Sequence, residues 1–202
     1  MFGEEFLRAA LIGGPVILFS LTVHEYFHAW SALRFGDTTA RDLGRLTLDP
    51  LKHLSLTGTL VMVLSQFTFG WAKPVPVNLM NVSNPRKADF WISFAGPLSN
   101  IGLALIAGLA FHVFSPAMGG TAWMFLRYAV IINLALAFFN LIPLFPLDGS
   151  HILRSVLPPR YEESIARLEQ FAPFILILLV ITGGVWMIIG GPVTFFYSLL
   201  VP

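Results

Sequence analysis

Four stretches of this chain are apolar enough, over enough residues, to cross a lipid bilayer: Phe6 to Leu33, Phe90 to Phe114, Ala122 to Leu141 and Pro173 to Ile189. Hydrocarbon offers no water to backbone N–H and C=O groups, so such stretches are read as helices. Composition agrees. Of 202 residues, 56% are hydrophobic and 11% charged, with mean hydropathy +0.77. That describes an all-α polytopic membrane protein and excludes an ordinary soluble domain. No repeat or low-complexity segment divides it, so residues 1–202 read as a single membrane domain. The beginning is not a signal peptide in pattern: Glu4 and Glu5 are acidic where a basic region belongs, and the apolar run continues well beyond them. A net charge of +1 without a basic block gives no footprint for nucleic acid. The chain has no cysteine, which removes disulfides and thiolate ligands; any metal must be held by His, Asp or Glu.

Between the spans lie less regular pieces. Asp37 to His53 is polar, and within it Gly44 to Leu48 alternates in a way that predicts a short strand. Leu54 to Trp71 is apolar but broken by Gly58, Ser65, Gln66 and Gly70. In Lys73 to Asn78, Pro74 and Pro76 forbid a central strand and permit an edge. Ser115 to Thr121 is a short connection. Asn140 to Gly149 carries Pro143, Pro146 and Gly149, which predict unwinding. Ser150 to Leu157 predicts one or two helical turns, Tyr161 to Gln170 is a polar surface piece, and Thr194 to Val201 a short apolar tail. Seven Lys or Arg residues lie between Arg34 and Lys87, three between Gly149 and Gln170, and none in Ser115 to Thr121. All ten fall on one side, the cytoplasm, only if Leu54 to Trp71 does not cross. That segment is therefore expected to be re-entrant or interfacial; eighteen residues also nearly suffice for an ordinary span.

Inside the first span stands His24-Glu25-Tyr26-Phe27-His28. Histidines at i and i+4 share one helix face and can hold one zinc ion, with the glutamate between them beside the metal as general base. Three ionisable groups in hydrocarbon are costly, and such groups mark function by default. The bland alternative is a histidine pair satisfied by neighbouring carbonyls. A hydrolytic zinc site in a membrane implies a protease acting on other membrane proteins. A catalytic zinc commonly has three protein ligands and an open position. Ser31 and Arg34 stand where one soluble class would continue its motif, so the third ligand is elsewhere. Asp42 and Asp49 are candidates in the next loop; Asp148, following the third span, is the stronger one. The first and third spans run in the same direction. His24 and His28 lie roughly 9–15 Å inward of Arg34 at 1.5 Å per residue, a depth Asp148 reaches if its segment unwinds and folds back. Asp148 also reads as a helix N-cap.

Together these residues resemble the site-2 protease family of intramembrane zinc metalloproteases (peptidase family M50). His24 to His28 matches its HExxH motif, Asn140 to Gly149 its second signature ending in Leu-Asp-Gly, and Ala95-Gly96-Pro97-Leu98-Ser99-Asn100 a further element. Gly36 to Ala40, Gly44 to Leu48 and Gly70 to Asn78 resemble a compact prokaryotic branch, in the same order along nearly the whole chain. The resemblance implies His24, His28 and Asp148 as ligands of one Zn2+ per chain, Glu25 as catalytic acid/base, and Asn140 as an oxyanion partner; Asn140 as a cap on the unwound helix end is an equal reading. It implies cleavage within or at the edge of transmembrane segments of a protein substrate, among membrane lipid, near the cytoplasmic side of a prokaryotic cell membrane. Leu46, Leu48, Val75 and Val77 are candidate contacts for a substrate held by strand addition.

Ser150-His151 departs from the family, in which Gly followed by Arg or Ser is more usual. His151 is read as a solvent-facing residue or as an orienter of Asp148, His53 as a loop residue at the surface or near the site, and His112 as interfacial. Ser115 to Thr121 is too short for a PDZ domain, and no CBS pair is expected. The alternative in another class is a non-proteolytic protein that binds or transports metal. A transport path predicts polar ligands along several spans; here they gather at one depth. A non-catalytic helix-binding relative would not need the intact HExxH and Leu-Asp-Gly.

Overall fold

A computed structural model describes residues 9–64, 70–114 and 120–201. Parts of three sequence expectations lie outside them: the start of the first span, residues 65–69 of the broken apolar segment, and most of the 115–121 connection. In chain order the helices are α1 (Gly14–Arg34), α2 (Thr39–Asp42), α3 (Leu56–Leu64), α4 (Pro85–Phe114), α5 (Thr121–Asn140), α6 (Asp148–Val156), α7 (Glu162–Glu169), α8 (Ala172–Ile181) and α9 (Gly184–Leu200). A single π turn, Ala9–Gly13, leads into α1. Pro15 sits in its first turn, where a missing N–H leaves no bond unmade.

Among the described residues, three helices are long and apolar enough to cross a membrane: Ala10–Arg34, Pro85–Phe114 and Thr121–Asn140. A fourth crossing is available if Pro159–Glu169 and Ala172–Ile181, which meet at 56°, are counted as one broken span. α4 is the centre of the bundle and packs against α1, α5 and α6, while α9 closes against α5 and α8. Ala104, Ala107 and Phe111 of α4 meet Val130 and Leu134 of α5 and Ile189 and Val193 of α9 in one buried cluster. Small residues let these helices approach: a Cβ on Gly108 would stand 2.9 Å from the Leu200 side chain. Large apolar side chains such as Leu60, Ile106, Phe174 and Met187 face outward, as a lipid environment permits and water does not reward.

Two expectations are corrected. There are no strands among the described residues. Residues 44–48 form turns and bends, with Gly44 at φ +67°. Residues 73–78 are extended but lack a ladder, because Pro74 and Pro76 have no N–H to pair. An isolated antiparallel bridge, Leu54 to Ala72, is present instead. The apolar run expected to be a fourth span from Pro173 to Ile189 is broken at Thr182, where Gly183 takes φ +72° and α8 gives way to α9. The expected tail is the end of α9. Of the broken apolar segment, α3 has nine residues; the Leu54–Ala72 bridge and the bond that Lys73 N donates to His53 O at 2.7 Å bring residues 53–54 and 72–73 together.

Candidate metal centre

α1 presents His24 and His28 one turn apart on its buried face. The facing side of α4 carries Ile92, Gly96 and Asn100 at steps of four. His24 Nδ1 lies 2.7 Å from Asn100 Oδ1, and His28 Nδ1 lies 2.7 Å from Ile92 O. The rising α1 numbers meet falling α4 numbers, so the two helices are antiparallel. Pro97 supplies no N–H to the turn that contains Ile92 and Ser93, which loosens the backbone there. Gly96 leaves the space the imidazoles fill: a Cβ would stand 2.4 Å from His28 Nε2 and 2.7 Å from His24 Cε1.

These bonds fix the tautomers. Ile92 O can only accept, so His28 Nδ1 carries the proton. Asn100 is oriented by its own amide nitrogen, which donates to Asn133 Oδ1 at 2.9 Å and Ser20 O at 3.3 Å. Asn133 in turn donates to Ala129 O at 2.9 Å. Asn100 Oδ1 therefore accepts from His24 Nδ1, as assigned from the whole network. Both Nε2 atoms are left with lone pairs, 3.0 Å apart.

Asp148 joins them as the first residue of α6. The N-cap position belongs to Leu147 and no side chain caps the helix, so the reading of Asp148 as a cap is corrected. Gly149 explains the approach: a Cβ there would stand 2.4 Å from the carbonyl oxygens of Leu141 and Ile142, so α6 starts directly against the turn that ends α5. Asp148 Oδ2 is 3.2 Å from His24 Nε2 and Oδ1 is 3.4 Å from His28 Nε2. Oδ2 is buried without a hydrogen bond, because the nearest nitrogen offers a lone pair. Three electron-rich atoms thus converge, an arrangement that repels itself unless a cation lies between them. The two Nε2 atoms are 3.0 Å apart and each lies 3.2–3.4 Å from a different oxygen of the carboxylate, separations close to the roughly 3.3 Å expected between donor atoms held by one zinc with bonds of about 2.0–2.1 Å. His24, His28 and Asp148 could hold a metal ion, and they are the single such group of three among the described residues.

The cluster opens on a cavity of about 700 Å³ whose lining includes Glu25, Val75, Val77, Asn140 and His151. Glu25 is buried, and its Oε2 accepts from Val75 N at 2.8 Å. Asn140 reaches the cavity, but its amide nitrogen donates back to Leu136 O at 2.9 Å. His151 borders the cavity and does not orient Asp148. Its Nδ1 is 3.3 Å from Asp89 Oδ1, and that contact, opposed in part by burial, holds its pKa above the ordinary value. Asp89, at the foot of α4, escaped the sequence reading, as did Asn133; both sit in helices otherwise read for hydrophobicity alone. His53 is fully buried rather than at the surface, with Nε2 2.9 Å from Thr47 O, and it lies outside this cavity. Leu46 and Leu48 also lie outside it, so of the four expected strand contacts Val75 and Val77 alone line the cavity. Asp42 is exposed and bound to Thr38 and Arg41, and Asp49 caps the Pro50–Lys52 turn; neither approaches the histidines.

A His–His–Asp centre among helices long enough to cross a membrane defines a class, the helix-embedded metal-site proteins. The chain belongs to peptidase family M50, whose description matches residues 115–182. It is 38% identical over 174 residues to "Putative zinc metalloprotease YwhC" of Bacillus subtilis, covering 82% of this chain and 78% of that one. It is 32% identical over 170 residues to Rip2 of Mycolicibacterium smegmatis, of which it spans 64%. A shorter match, 34% over 77 residues, joins it to "Zinc metalloprotease MJ0392" of Methanocaldococcus jannaschii, covering 38% of this chain and 22% of that one. No solved structure gives a significant match.

Proposed function

We propose that this protein is an intramembrane zinc endopeptidase that cuts transmembrane segments of other membrane proteins near the cytoplasmic face of a prokaryotic cell membrane. The observation that carries the reading is the convergence of two imidazole lone pairs and an orphaned carboxylate oxygen beside Glu25, at the wall of a largely apolar cavity. His24, His28 and Asp148 would hold the zinc. When bound, zinc supplies Lewis acidity that polarises a carbonyl and brings the pKa of a water near 7. Glu25 receives the water's proton on its carboxylate and returns it to the leaving amine. Asn140 has one amide hydrogen committed to Leu136 O and a second left for a developing oxyanion. Leu147 and Val75 give the cavity part of its apolar wall.

A substrate helix hides its carbonyls in i to i−4 bonds and must unwind to be cut. Val75 and Val77 offer an extended edge for the unwound piece. The paired ends of the 54–71 segment support a re-entrant path, which puts the basic residues on the cytoplasmic side. One ligand cluster among the described residues weighs against a transport path, which needs several.

The test is purified protein with a transmembrane substrate in detergent or vesicles. One zinc per chain is expected, with cleavage lost to a chelator and restored by zinc. Glu25→Gln should keep the metal and lose cleavage. Full proteolysis by that variant would remove the mechanism.

A further inference from the structure

Three motifs of the sequence supply none of the candidate metal ligands: 36–40, 44–48 and 70–78. In the structure they form one polar frame around residues 73–78, a strap laid beside the ligand helix. At one end Arg45, buried, donates from Nη2 to Lys73 O at 2.6 Å. Lys73 N donates to His53 O at 2.7 Å, and the His53 ring is itself tied to Thr47 O. At the other end Asp37, 0% exposed, accepts from Asn78 N at 2.7 Å through Oδ2. Its Oδ1 takes Asn81 Nδ2 at 2.8 Å, Thr39 Oγ1 at 2.5 Å and Thr39 N at 3.1 Å. Burial pushes the Asp37 pKa up, but these bonds from Thr39, Asn78 and Asn81 outweigh it and hold it below the ordinary value.

Between the anchors, Pro74 and Pro76 fix φ and carry no N–H. Over residues 74–76 the backbone therefore has one donor, Val75 N, and it donates to Glu25 Oε2 at 2.8 Å. Glu25 Oε1 takes no hydrogen bond among the described residues. A glutamate has several freely rotating bonds, so an unheld carboxylate would sample many placements. A buried anion and a buried cation hold the two ends of a proline-stiffened strap so that its Val75 amide pins one carboxylate oxygen and leaves the other for proton transfer.

We infer that Asp37 and Arg45 are positioning residues for Glu25, acting through the Val75 amide. The inference rests on Glu25 being the acid/base of the proposed protease. It explains why charged residues stand buried in loops that supply none of the three candidate metal ligands, and why the strap alternates proline with valine.

The experiment uses the full chain in detergent, with three variants: Asp37→Asn, Arg45→Gln and Val75→Pro. The last removes the donor, since proline has no N–H and accepts an extended backbone, and exchanges one apolar side chain on the cavity wall for another. Zinc content, kcat and KM on a transmembrane substrate, and hydrogen exchange at the Val75 amide are measured together. All three variants should keep one zinc per chain. In each, kcat should fall about 10- to 100-fold with KM within about threefold, the size expected for misplacing a proton-transfer group. The Val75 amide should exchange slowly in the wild type and at least about tenfold faster in Asp37→Asn and Arg45→Gln. Wild-type kcat in Val75→Pro would overturn the inference. So would a change in KM alone, which would make the strap a substrate edge only, or unchanged Val75 exchange when the anchors are altered. If Asp37→Asn does not accumulate, Val75→Pro decides with both anchors intact. Absence of cleavage by the wild type would sink the protease reading, while the exchange arm still reports whether the anchors hold Val75 on Glu25.

Discussion

Replacing Gly96 by alanine should empty the metal centre without touching an ionisable group. The added Cβ would stand 2.4 Å from His28 Nε2, 2.6 Å from His28 Cε1 and 2.7 Å from His24 Cε1. Ordinary contact begins near 3.4 Å, so the rings must retreat by about 0.7–1 Å, whereas metal–ligand distances tolerate about 0.2 Å. Neither ring retreats freely, because His24 is tethered to Asn100 and His28 to Ile92 O, each at 2.7 Å. Zinc affinity should therefore fall at least about 100-fold, or about 2.7 kcal/mol at 1.4 kcal/mol per decade. Global stability should change much less: overpacking costs about 1–3 kcal/mol, offset by about 1 kcal/mol from replacing glycine inside a helix. Gly102→Ala, on the same helix with open space around its Cβ, is the control and should keep full zinc. The assay is competition with a chromophoric chelator, with thermal unfolding of the metal-free protein alongside. A Gly96→Ala protein that binds zinc as tightly as Gly102→Ala would refute the placement of the histidines against α4.

Asp148→Ala should lose zinc and cleavage, while Asp42→Ala and Asp49→Ala keep both; metal analysis of the three proteins decides, and undiminished zinc in Asp148→Ala would make it a structural residue. Asn100→Leu leaves the three ligands intact but removes the acceptor at His24 Nδ1, so zinc affinity should drop about 10- to 100-fold, read by the same chelator competition. Asp89→Asn should move the His151 pKa down toward its ordinary value, followed by NMR titration of the ring. The raised pKa makes the Asp89–His151 contact favour the folded state below the unfolded pKa of about 6.5, and that contribution fades as pH rises through the folded value. Stability that is independent of Asp89 over this window would show the pair to be idle.

The first three spans and the histidine pair were legible because each is a local pattern: apolar run length for the helices, and i, i+4 spacing for the histidines. Asp148 was legible because the breakers at Pro143, Pro146 and Gly149 demand that the chain unwind before it. Pattern failed where a few residues were asked to carry it. Gly44 to Leu48 alternates over five positions only, and the structure inverts its polarity: Arg45 is buried and donates to the Lys73 carbonyl, while Leu48 is exposed. In the last apolar run, the Gly183-Gly184 pair outweighed hydrophobicity, since a residue at positive φ cannot continue a helix. The roles of Asn100, Asn133 and Asp89 depend on how α4 is rotated against α1, α5 and α6. That is set by packing between distant segments, so no window of sequence displays it.

The two histidines are held by different means, and the difference has a physical consequence. His28 leans on a backbone carbonyl of α4, so its orientation is as rigid as that helix. His24 leans on a side-chain amide whose own orientation is fixed by Asn133, and Asn133 is fixed by the carbonyl of Ala129 in α5. Each amide in this chain of bonds must donate in one direction, because a carbonyl at its far end can only accept. In a low-dielectric interior an unmet amide is expensive, so the series is held in a single arrangement. The tautomer of His24 is thereby set from a helix that supplies no metal ligand. α5 also ends at Asn140 and leads through the 141–147 turn to Asp148. The same helix therefore governs one ligand through its covalent continuation and another through hydrogen bonds, so a shift of α5 against α4 would disturb His24 and Asp148 together while leaving His28 in place.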